Sequence, residues 1–273
     1  MNVKFIRESV IAGSWYPEKK EVLESQIDKF LTKAEKVDNK GLIALISPHA
    51  GYMYSGQVAS FAYKQLEGMN VDTVIITAPS HHVPIKGASV YNRGAFRTPL
   101  GLVEVDVNLS NKLIEDNPSF YFHEGAHRDE HSLEIQLPFL QRVLGNFKIV
   151  PIVMYDRSLK NCKSLASSII KIVSKNTLLV ASTDLSHYYS HEEAVELDKV
   201  VIDCVQLLDF QRLSENFDNR ICEACGAGPV ITTIIAAKSL GANKSRIFKY
   251  ATSGDTSGDY SRVVGYLAAG IYI

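Results

Sequence analysis

Cysteine is scarce in this chain, neither sign of charge is in surplus and no apolar run is long. Each shortage removes a class of protein. Four cysteines, Cys162, Cys204, Cys222 and Cys225, are too few in 273 residues for a disulfide-stapled scaffold. In a reducing compartment they are thiols, open to packing, reaction or metal ligation. Twenty-nine Lys plus Arg against thirty Asp plus Glu leave a formal charge of −1. The basic residues are scattered, so the footprint of a nucleic-acid binder is missing. No apolar stretch reaches the roughly 18 to 20 residues that span a bilayer. The opening MNVKFIRESV lacks the continuous apolar centre of an export signal. A cytoplasmic protein with neither nucleic-acid nor membrane partners is expected. A second C-x-x-C pair is also absent, so CEAC (222–225) is not half of a zinc ribbon.

What is present reads as an ordinary globular α/β chain, with 46% hydrophobic and 22% charged residues. LIALIS (42–47) and TVIITA (73–78) are short, continuously apolar and rich in β-branched residues, as suits strands covered on both faces. GQVASFAYKQL between them has a helical pattern, and strand, helix, strand implies a right-handed crossover joining a parallel pair. FKIVPIVMY (147–155) and TLLVASTD (177–184) are two more buried strands around the helical LKNCKSLASSIIKIV. Helices are also expected over EVLESQIDKFLTKAEKV, HEEAVELDKVVIDCVQLLD and EHSLEIQLPFLQRVL, the last kinked or broken at Pro138. PVITTIIAAKSL (229–240) is another, with proline in its first turn, and SRVVGYLAAGIYI closes the chain as a strand. No linker or low-complexity tract interrupts these elements. The expected fold is a single α/β domain over 1–273 with a central mixed, largely parallel sheet flanked by helices.

Three of the four best strands run into polar clusters: Pro48-His49, Ser80-His81, and Asp184 with His187. Open α/β sheets bind ligands beyond the carboxyl ends of parallel strands, so these clusters share one edge if their strands are parallel. Imidazole is both a common metal ligand and a base near neutral pH. His49 and His81 are therefore read as ligands and His187 as a base. His82 follows His81 directly and faces away from it, behind the site or at the surface. RDEHSLE (128–134) opens a helix, where Asp129 and Glu130 suit caps; Glu130 and His131 are candidates to stand behind the ligands. His123, His127 and His131 recur every four residues, but the polar, glycine-containing sequence around them opposes one continuous helix. Cys225 lies just ahead of a helix, where the helix terminus or an adjacent metal lowers a thiol pKa. It is the better ligand or nucleophile of its pair, and Cys222 the structural one. SGDTSGD (253–259) does not match a phosphate-binding loop and reads as a mobile pocket rim.

The motifs AGSWYP, PHAGYMYSG, PSHHVP, RTPLG, DEHSLEIQLPFL, STDLSHY and CGAGPV run in order over nearly the whole chain. On them the sequence is identified as a member of the Memo family (mediator of cell motility), in prokaryotes often labelled AmmeMemoRadiSam system protein B. That family resembles LigB-type class III extradiol dioxygenases, non-haem iron enzymes with one central sheet flanked by helices. The resemblance implies two histidines and a cysteine around a metal, mapping onto His49, His81 and Cys225. It also implies that Asp184 and His187 line the pocket, with His187 at the place of the dioxygenase base. Non-haem iron oxygenases use two histidines and a carboxylate, whereas here a thiolate replaces the carboxylate. Sulfur favours copper(I) or zinc and is compatible with iron(II). Ring-cleaving activity therefore does not follow from the fold alone, and a dioxygenase-like oxidoreductase stays within the first of the functions below.

Three functions follow, in order. The first is a metal-dependent redox protein holding iron, copper or zinc, with His187, oriented by Asp184, moving protons on an unidentified small molecule or peptide. The second is a non-catalytic binding module, since animal Memo proteins are associated with phosphotyrosine-bearing receptor peptides and a fold outlives its reaction. The third is a zinc hydrolase with an activated water at the open position. The resemblance also implies a radical-SAM pathway partner in prokaryotes.

Overall fold

In the computed structural model, which describes residues 4–38 and 40–273, the apolar runs become neighbouring strands. The strands are β1 (Ile6–Arg7), β2 (Leu42–Ser47), β3 (Thr73–Pro79), β4 (Ala88–Val90), β5 (Ala95–Thr98) and β6 (Gly101–Val105). They continue as β7 (Phe120–Tyr121), β8 (Lys148–Met154), β9 (Thr177–Ser182), β10 (Asp184–Tyr189), β11 (Lys244–Thr252) and β12 (Val263–Tyr272). Their order is β1-β5-β6-β8-β3-β9-β2-β12-β10, with β11 on the other side of β12, β4 beside β8 and β7 beside β4. The centre, β8-β3-β9-β2, is parallel throughout. Antiparallel pairs join β5 to β6, β4 to β8, and β12 to β2, β10 and β11. The sheet is mixed with a parallel core, as expected.

The parallel strands are apolar on both faces because each face supports its own core. Ala44, Ile46, Ile75, Val150, Ile152, Leu179 and Ala181 enter one apolar layer, with residues of helices Leu159–Ile172, His191–Gln206 and Ala227–Ser239. Their alternate neighbours Leu45, Val74, Ile76, Ile149, Val153, Leu178 and Val180 enter the other, with helices Lys20–Lys33, Tyr52–Tyr63 and Leu137–Leu144. The period of two along each strand distributes them. Each fully buried Ile or Leu contributes about 1.5 to 3 kcal/mol of transfer free energy. Cys162, Cys204 and Cys222 are packed in the first layer, which is the structural role expected of Cys222.

Three expectations need correction. The first helix stops at Lys33, and residues 34–37 continue as coil. The helix around Pro138 is broken, as expected, into His131–Glu134 and Leu137–Leu144, because proline suits the first turn of the second piece and cannot donate within a longer one. The rim segment 253–259 contains a short helical turn, Gly254–Ser257. The strand read over 177–184 ends at Ser182, and Asp184 and His187 lie on the next strand, β10. Along one edge of β12, Ala269–Tyr272 pair with β2 and Val263–Tyr266 with β10, so β10 takes up the line where β2 ends. Asp184 is thereby set beside the residues that follow β2.

Candidate metal centre

His49 follows the carboxyl end of β2 and is 2% exposed. Its Nδ1 is 2.9 Å from Ser182 Oγ at the end of β9. That hydroxyl donates its one hydrogen to the Ser132 carbonyl at 2.6 Å and accepts from Gln136 Nε2 at 2.9 Å. It is left with only acceptor capacity for the imidazole, so Nδ1 carries the proton and Nε2 a free lone pair. Burial, then the charge of neighbouring histidines, holds His49 well below the usual histidine range and keeps it neutral.

His81 follows β3, and its Nδ1 lies 2.8 Å from Glu130 Oε1. Glu130 is buried; its Oε2 accepts from the His81 backbone N–H at 2.6 Å and its Oε1 from the Ser132 N–H at 3.0 Å. Burial alone would raise this carboxyl. The hydrogen bond from the His81 ring, with the two backbone donors, holds it well below the usual carboxylate range. An ionised Glu130 fixes the proton on Nδ1 of His81 and leaves Nε2 bare, the carboxylate–histidine arrangement that orients metal ligands. Glu130 thus caps its short helix and positions His81. His131 stacks on His81 with centroids 4.5 Å apart and 23° between planes, and its ring also meets that of Trp15 at 4.3 Å.

Cys225 brings its sulfur to 3.0 Å from His49 Nε2. The Asp184 N–H donates to the sulfur at 3.1 Å. The approach requires glycine at 226, since a Cβ there would lie 2.3 Å from the Ser182 carbonyl oxygen and 2.5 Å from Thr183 Cβ. Without a metal, burial and then the nearby Asp184 charge push the thiol up. Of the two causes expected to lower it, the helix terminus is not sufficient: enclosure outweighs the dipole, and a cation would have to supply the stabilisation of a thiolate.

Asp184 is buried, and its Oδ1 accepts from the N–H groups of His49 at 2.7 Å and Ala50 at 3.3 Å. Burial raises its pKa to about 7 against the pull of those donors. It therefore anchors the His49 loop, and the expected bond orienting His187 is not formed. The His187 backbone N–H donates to Glu223 Oε1 at 2.8 Å, and burial lowers the imidazole pKa.

One or more ligand atoms of His49, His81 and Cys225 lie within 4.8 Å of one another. The other such group among the described residues, His81, Glu130 and His131, shares His81 and relies on a carboxylate already committed to three hydrogen bonds. The first group fits a metal better: a ring nitrogen from each of two histidines and a sulfur lie within 4.8 Å of one another, and each imidazole is held at Nδ1 by a hydrogen-bond partner. Nitrogen and sulfur on one tetrahedral ion stand about 3.5 Å apart, so an ion would part His49 and Cys225 by about 0.5 Å.

His49, His81, His131, Asp184 and His187 line one cavity of about 800 Å³. A groove of about 710 Å³ at the opposite edge, by Thr73 and Lys148, is lined by no histidine or cysteine. His82 is exposed and outside the cavity lining, with its ring 6.4 Å from that of His131. His127 is buried away from the site with Nε2 2.9 Å from Ser89 Oγ. Trp15, Tyr188 and Arg262 also line the cavity and were not singled out in the sequence. The lone tryptophan within AGSWYP was the one available signal.

A mixed α/β sheet carrying a histidine–histidine–cysteine cluster at the carboxyl edge of its parallel strands defines the class. Residues 7–270 match the family model described as Memo-like protein. A MEMO1 family protein of Sulfolobus acidocaldarius is 42% identical over 280 residues, 96% of this chain and 98% of its own length. Others are 37% identical in Nitrosopumilus maritimus (96% and 98% covered) and 38% in Methanopyrus kandleri (96% and 97%). The chain belongs to the Memo family. No helix among the described residues is long and apolar enough to cross a membrane.

Proposed function

We propose that this Memo family member is a metal-dependent oxidoreductase in which His49, His81 and Cys225 hold one iron, copper or zinc ion and His187 moves protons. The observation that carries this reading is the convergence of the three groups: Ser182 and Glu130, two unrelated partners, each engage Nδ1 of one histidine, His49 Nε2 lies 3.0 Å from the Cys225 sulfur, and a ring nitrogen of His81 lies within 4.8 Å of both. Core packing has no need of that arrangement. Cys225 gives up its proton on ligation, so uptake strengthens as pH rises. His187, neutral at ordinary pH because its pKa is lowered, accepts a proton from a ligand in the cavity. A bound redox-active ion would supply electron transfer or polarisation of that ligand, and the soft sulfur favours copper(I) or zinc while allowing iron(II).

The test is elemental analysis of protein purified without air or chelator. About one metal per chain is expected, falling to background in His49→Ala. A metal-free parent, with unchanged metal affinity in His49→Ala, refutes the reading. A binding module is the second reading, motivated by the exposed Trp15, Met53, Tyr54 and Tyr188 at the cavity mouth. Partner capture that survives loss of all three ligands would select it.

A further inference from the structure

We propose that the cavity takes a carboxylate carried on an aromatic or otherwise flat apolar body, and that Arg262 and Tyr188 recognise its charged end. The assignment rests on this cavity being the working face of the metal centre proposed above.

Successive side chains on a regular strand point to opposite faces, yet His187 and Tyr188 both line the cavity. A bulge is the reason. Val264 of β12 opposes His187 and Val263 opposes Tyr189, which leaves Tyr188 unpaired. Tyr188 also has a φ of 67°, in the left-handed region that a side chain with a Cβ enters at a cost. Bulges and strained residues of this kind concentrate beside ligand sites, where they re-aim side chains. Here the displaced ring, 64% exposed, lies beneath the guanidinium of Arg262, 5.4 Å from ring centroid to Cζ.

Arg262 is the one Lys or Arg among the cavity-lining residues. Arg97, Arg128 and Arg142 each pair with a carboxylate: Glu8, Asp129 and Asp28. Among the described residues no carboxylate lies within salt-bridge distance of Arg262. The rim acid nearest in sequence, Asp259, has its Oδ1 engaged by the N–H of Ser261 at 2.9 Å and the Oγ of Ser261 at 2.6 Å. A guanidinium stacked by one face, with its N–H edge free, is suited to grip a carboxylate with two parallel hydrogen bonds. Asp259 lines the same cavity and opposes a second negative charge, which favours a monoanion over a phosphate dianion. Trp15, Tyr54 and Tyr266 supply flat apolar wall for the body of the ligand.

Trp15 is the only tryptophan in the chain, so its emission reports on the cavity. Metal-free protein would be titrated with benzoate, with neutral benzamide and with phenyl phosphate. Benzoate is expected to change the emission saturably, benzamide to bind at least about tenfold more weakly, and phenyl phosphate more weakly than benzoate. Arg262→Gln should weaken benzoate at least about tenfold, and Arg262→Lys by an intermediate factor because the fork is lost. Tyr188→Gly, which accepts the left-handed backbone, should weaken it by removing the stack. Zinc affinity of Arg262→Gln, measured separately, should equal the parent's. Undiminished benzoate binding in Arg262→Gln, benzamide equal to benzoate, phenyl phosphate tighter than benzoate, or no saturable response each overturns the proposal. Loss of zinc binding in His49→Ala, or its absence in the parent, speaks only to the metal centre.

Discussion

Replacing Glu130 by glutamine keeps the shape of the side chain and removes what it does for His81. The carboxylate accepts from the His81 ring at 2.8 Å, the His81 N–H at 2.6 Å and the Ser132 N–H at 3.0 Å. An amide has one oxygen, so its NH2 group must face a donor whichever way it turns. Facing the imidazole, it drives the ring to the tautomer protonated on Nε2 and removes the ligating lone pair. Facing the backbone, it pushes the loop out of register with the ring. Loss of such a supporting carboxylate weakens metal binding about 10- to 100-fold, or about 1.4 to 2.7 kcal/mol. Anaerobic competition against a chromophoric zinc chelator measures this, with circular dichroism confirming the fold. Asp129→Asn, next in the chain but exposed and paired with Arg128, should leave affinity unchanged. A folded Glu130→Gln protein whose zinc affinity lies within twofold of the parent's refutes the reasoning.

Glu134 is fully buried and gathers Arg7, Ser9, Tyr16 and the N–H of Val10, tying down the amino-terminal segment that carries Trp15. Glu134→Gln leaves Arg7 buried without its charge partner and should cost about 3 to 5 kcal/mol in urea unfolding; a loss below about 1 kcal/mol contradicts that. His127 is held neutral, its pKa lowered to about 3 by burial and then by the Arg7 charge. Its unfolded form takes up a proton near pH 6.5 and the folded form does not until about pH 3, so stability falls as pH drops through that window. Between pH 7 and pH 5 the loss from this one group is about 2 kcal/mol. His127→Phe should flatten the pH dependence by that amount, and an unchanged slope would show that the imidazole is not held neutral.

The parallel core was legible because its signal is local. Continuous β-branched runs report burial on both faces, and the bounds read for the strand at 42–47 coincide with β2. The placement of His49 and His81 at strand ends followed from it. The short strands β1, β4 and β7, two or three residues each, were not legible because their pairing depends on partners far along the chain. Nor was β10, since nothing local reveals that it continues the line of β2. Cys225 reaches His49 from 176 residues away, a convergence that only the family resemblance anticipated. The weakness of the helix-terminus effect on the thiol was hidden for a related reason: a helix terminus is visible in sequence, while the enclosure that opposes it belongs to tertiary structure. Arg262 escaped notice because a single arginine gains meaning only from what surrounds it.

X-ray absorption at the zinc edge of the anaerobically reconstituted protein tests the central claim most directly. The account predicts one sulfur neighbour at about 2.3 Å beside imidazole nitrogens at about 2.0 Å, with the sulfur contribution gone in Cys225→Ser and the imidazole contribution kept. A parent spectrum containing only nitrogen and oxygen neighbours contradicts it.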